Sequence, residues 1–88
     1  MIRIEDLELT SLSLWRKFAD WTLSLSIPSI RVYEMRCIND AYEITAWIIM
    51  PGELVHRAFG CVKEPESASV ANRLDQCGFK AISGIQGV

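Results

Sequence analysis

The sequence is poor in the residues that chemistry most often uses. Its 88 residues contain one histidine, three cysteines, three prolines and five glycines. A zinc site normally draws four ligands from Cys, His and carboxylate. The lone His56 has no second ligand at motif spacing, so no metal is expected. The cysteines, Cys37, Cys61 and Cys77, are odd in number, widely spaced and without a CxxC pair. Residues 1–8 alternate apolar and charged side chains and lack the apolar stretch of an export signal. Reduced thiols in a cytoplasmic setting are therefore expected. The longest apolar run, residues 46–51, falls far short of the ~20 residues a membrane-crossing helix needs. Neither GxGxxG nor GxxxxGK[ST] occurs, so no phosphate cradle and no cofactor are expected.

What is present is the composition of an ordinary folded domain. Half the residues are apolar and 23% are charged, with a formal net charge of −2. One domain, 1–88, fits this length. A chain so short buries only about 60–65% of its unfolded surface, and small domains commonly add a disulfide, a metal or a partner subunit. With the first two set aside, a homo-oligomer or another protein partner is the expectation.

The pattern predicts an α+β fold: a three- to five-stranded antiparallel sheet with two helices on one face, in the order (β)αβββα(β). Residues 1–9 read as an extended start. A helix over 11–25 follows, capped by Thr10 or Ser11. Leu14, Trp15, Phe18, Trp21, Thr22 and Leu25 share its apolar face, while Leu12 and Leu23 fall off it. Pro28 ends it. Residues 30–38, 41–50 and 54–62 alternate at period two and read as an antiparallel meander, joined by turns at Asn39-Asp40 and Pro51-Gly52. A second helix opens near Pro65 and closes at Gly78. Phe79 packs back on Leu74, and a short strand lies within 79–85.

Candidate chemistry is sparse. His56 could act as a general base, but no nucleophile motif accompanies it. Cys61 and Cys77 occupy inward positions of a strand and a helix, so buried, structural thiols are expected. Glu34 and Glu43 point away from the expected core as solvated carboxylates. The central order αβββα is that of double-stranded-RNA-binding domains. However, the stretch opening the second helix, Lys63-Glu64-Pro65-Glu66-Ser67, carries more acid than base where those domains carry lysines. An RNA-binding role would have to use Arg31, Arg36, Arg57, Lys63 and Arg73. A small ligand-binding or enzymatic domain, with His56 or Tyr33 in a pocket between helix and sheet, is a further alternative.

The apolar excess is more informative. If Tyr42, Ile44, Ala46, Ile48 and Met50 face the helices, then Trp47 and Ile49 lie on the other side of the sheet. Exposed apolar patches mark association surfaces, and tryptophan is a typical anchor. The expected interface comprises Trp47 and Ile49 with Phe59 and His56. The expected function is a non-enzymatic interaction module that self-associates through this sheet face.

Overall fold

The computed structural model describes residues 3–52 and 54–82. Seven elements follow in order: β1 (Arg3–Glu8), α1 (Leu12–Thr22), β2 (Ile30–Ile38), β3 (Ala41–Ile49), β4 (Leu54–Lys63), α2 (Glu66–Gln76) and β5 (Lys80–Ala81). The strands form one sheet in the spatial order β1-β4-β3-β2-β5.

The sheet is mixed, which corrects the antiparallel expectation. β2, β3 and β4 form the antiparallel meander, but β1 runs parallel to β4 and β5 parallel to β2. A helix between two strands carries the chain back to its starting end, so the strands it joins run the same way. Both crossovers, β1-α1-β2 and β4-α2-β5, step three places in the same direction along the sheet. With a common hand, that places both helices on one face. Among the described residues, no element covers the other face.

The local signals behave as their chemistry requires. Ser11 is the N-cap of α1, its hydroxyl accepting from the Leu14 amide at 3.2 Å. The helix ends at Thr22, earlier than the expected Leu25. There the Thr22 carbonyl accepts from the Leu25 amide at 3.2 Å and from Arg31 Nη2 at 2.8 Å, and the Ser24 hydroxyl donates to the Trp21 carbonyl at 2.7 Å. α2 closes with a left-handed Gly78 at φ 90°. The Phe79 amide there donates to Leu74 O at 3.0 Å and the Gly78 amide to Asp75 O at 3.1 Å. Asn39, at φ 56°, turns the first hairpin. The short last strand is Lys80–Ala81, and the rest of its expected span, residues 83–85, lies outside the described residues.

The core lies between the helices and the inner row of the meander. Trp15, Ile44, Ile48, Val70 and Leu74 are essentially inaccessible, and Trp15 meets Phe18 edge to face with ring centres 6.1 Å apart. Leu12, expected off the apolar face of α1, packs against this core, whereas Leu23 is exposed. Where the chain leaves β1 it crosses β4 at Gly60. A Cβ there would stand 2.0 Å from the Leu9 carbonyl oxygen, so only glycine admits the crossing.

Candidate functional site

Strand pleat and register define the face that no helix reaches. Tyr33, Ile44 and Ala58 turn toward the helices, so their neighbours in sequence turn away. Reading the register across the sheet gives five rows. The first is Ile30–Ile49–Val55–Ile4, and the second is Val32–Trp47–Arg57–Asp6. The third is Glu34–Thr45–Phe59–Glu8, and the fourth is Arg36–Glu43–Cys61. The fifth is Ile38–Ala41–Lys63, so the face runs from wholly aliphatic at one end, through charged rows, to a mixed row with an exposed Ile38 at the other.

The aliphatic end is open to solvent. Ile30 is 62% exposed, Ile4 59% and Ile49 39%. It continues into a 290 Å³ depression lined by Pro28, Ser29, Ile30, Ile49, Met50 and Pro51. Ile27, next to Pro28 in the chain, is also exposed. Trp47 is half-buried between Val32 and Arg57, its register partners on the flanking strands. With Phe59, Arg57, Thr45 and the carboxylates of Glu34 and Glu43 it lines a second, polar depression of 320 Å³.

Charge on this face is largely paired. Arg57 donates to both carboxylate oxygens of Asp6, at 2.9 and 2.8 Å, and its guanidinium carbon lies 5.9 Å from the Phe59 ring centre. Arg36 pairs with Glu43. On the other side of the sheet, Arg73 pairs with Asp20 at 2.8 Å, and Arg31 binds backbone and side-chain oxygens near the ends of the two helices. Four of the five cations an RNA-binding role would draw on are thus engaged within the chain.

The structure brings Trp47, Ile49 and Phe59 onto one face and separates His56 from them. His56 pairs in register with Ile48, on the helix-covered side. There its Nδ1 lies 3.6 Å from Glu5 Oε2, and its ring meets the edge of Trp21 at 5.5 Å. The alternation that put Ile48 inward also fixed His56 inward, because the two are register partners. Val55, Ile4 and Ile30 belong to the surface and escaped the sequence reading. The missing signal was β1, since only its pairing with β4 completes the row.

The thiols divide. Cys77 is buried, and burial pushes its thiol pKa up. Cys37 and Cys61 are exposed, against the expectation for Cys61. Cys61 pairs with Glu43 on the uncovered face, and Cys37 lies at the hairpin end of β2. Tyr33 donates to Asp75 Oδ1 at 2.9 Å, with its hydroxyl pKa pushed up to about 12 by burial first and by that carboxylate second.

Among the described residues, no group of three or more His, Cys, Asp or Glu could hold a metal ion. Among the described residues, no helix is long and apolar enough to cross a membrane. Compared with protein-family models, with curated proteins and with solved structures, the chain matches none.

Proposed function

We propose that this protein is a non-enzymatic interaction module that self-associates through the aliphatic end of its helix-free sheet face. The observation that carries this reading is the row Ile30–Ile49–Val55–Ile4, in register across four strands with three isoleucines open to water. Trp47, in the adjacent row, is the aromatic anchor. β1 lies in the plane of the sheet beside β4 and so does not fold over this row.

Magnitudes favour a partner of moderate affinity. Burying a fully exposed Ile or Val side chain contributes about 1.5–3 kcal/mol, so the remaining exposure of this row is worth roughly 3–5 kcal/mol per protomer. Two such rows together give roughly 6–10 kcal/mol against an association cost estimated at about 4–15 kcal/mol, so at most about 6 kcal/mol remains, which points to dissociation at tens of micromolar or weaker. Four strands about 4.8 Å apart, over seven residues at about 3.3 Å each, cover roughly 400 Å² in plan, and the apolar end is only part of that, the size of a weak, transient contact.

Sedimentation at tens of micromolar is the direct test. The wild type should run as a dimer, while Trp47→Glu and Ile30→Asp should run as monomers. Ile30 is largely exposed, so its variant should keep the wild-type circular dichroism and melting curve. A wild type that stays monomeric at that concentration would refute the reading.

A further inference from the structure

We propose that the groove between the two helices binds a phosphate group. The groove lies on the helical side of the sheet, so this inference is independent of the self-association reading. It is a 370 Å³ depression lined by Arg16 of α1 and by Ser69, Asn72, Arg73 and Gln76 of α2. That volume lies at the small end of ligand sites.

The topology brings these side chains together. β1 and β4 run the same way, and each helix returns the chain against the strand before it, so α1 and α2 are parallel. Arg73 Nη2 meets Asp20 Oδ1 at 2.8 Å, which sets the level of one helix against the other. One turn back from that pair, Arg16 stands on α1 and Ser69 on α2, level across the groove. Positions 69, 72, 73 and 76 follow the i, i+3, i+4, i+7 spacing and form one polar stripe of α2. The apolar stripe of the same helix, Val70, Leu74 and Cys77, is buried in the core.

The electrostatics favour an anion. No carboxylate lines the groove, although the chain carries eleven acids against nine bases. Asp20, outside the lining, neutralises Arg73 alone, and Arg16 has no ion-pair partner among the described residues. The groove therefore keeps a net positive charge. Arg73 is also held in place: Asp20 takes Nη2, the Gln76 side-chain carbonyl accepts from Nη1 at 3.2 Å, and Nε is buried. One proton remains on each terminal nitrogen, and the side chain is still 42% exposed. A planar carboxylate offers its two oxygens to one guanidinium. A phosphate offers three, enough to meet Arg16 on one wall and Arg73, Ser69 and Asn72 on the other.

A chemical-shift titration at fixed ionic strength tests the site, with inorganic phosphate as the probe and chloride and acetate as controls. Phosphate should move the Ser69, Asn72 and Arg73 amide signals to saturation at about 1–10 mM, and neither control should saturate them in that range. Arg16 is exposed, so Arg16→Gln should keep the wild-type circular dichroism while weakening phosphate binding about tenfold, as for a lost hydrogen bond between charged groups. Lys17→Gln removes the same charge from a residue outside the lining and should change binding less than about twofold. Equal weakening by the two variants, or no saturation by about 20 mM phosphate, would overturn the proposal. Glycerol phosphate separates the sources of the group. Binding as tight as that of inorganic phosphate supports the site as one for a phosphate ester, and much weaker binding supports it as one for the free ion.

Discussion

Arg31 donates from Nη1 to the carbonyl of Cys77 at 2.9 Å, joining the second strand to the end of a helix 46 residues further on. The same guanidinium donates to the Thr22 hydroxyl at 3.1 Å and, through Nη2, to the Thr22 carbonyl at 2.8 Å. One cation therefore serves the C-terminal ends of both helices, where carbonyls lack helical partners and the dipoles are negative. Hydrogen bonds to a charged group are worth about 1.5–3 kcal/mol and do not simply add. Arg31→Met should cost about 2–3 kcal/mol in urea unfolding. Arg31→Lys should recover less than half of that, because an ammonium cannot span the same acceptors.

The close approach of Leu9, just past the end of β1, to Gly60 of β4 gives a sharper expectation. A Cβ at position 60 would meet backbone oxygen at 2.0 Å, and backbone cannot swing aside as a side chain can. Gly60→Ala should destabilise the fold by about 3 kcal/mol or more, at the upper end of overpacking costs. Gly52→Ala is the control. That position meets nothing within 4 Å but has φ 93°, so only the left-handed backbone cost of about 1–2 kcal/mol applies. Midpoints in urea should fall in that order.

How much of this was legible in the sequence depends on whether the signal was local. The Ser11 cap, the Asn39 turn and the Gly78–Phe79 helix ending each rest on residues within a few positions of one another, and each was readable. Strand alternation likewise assigned Trp47 and Ile48 to opposite sides. The parallel pairing of β1 with β4 was not readable, because it joins Arg3 to Leu54 across half the chain. Without it, the row that Ile4 completes stayed invisible. The same limit explains Cys61: period two gave its spacing, but only the register with Glu43 fixed its side of the sheet. Arg31 resembled a surface cation because its acceptors, Thr22 and Cys77, become neighbours only after folding.

Tyr33 should make the fold sensitive to alkali. Its pKa is raised from 10.0 to about 12, so the hydroxyl form is favoured in the folded protein. The stabilisation is complete below pH 10, the unfolded value, and is lost as pH rises through about 12. Stability from urea melts should fall across that window in the wild type. It should fall less in Tyr33→Phe, which has no proton to lose. Glu64 also raises Tyr42, chiefly through its charge, so ultraviolet titration of the native protein should show neither tyrosine ionising at its ordinary pH.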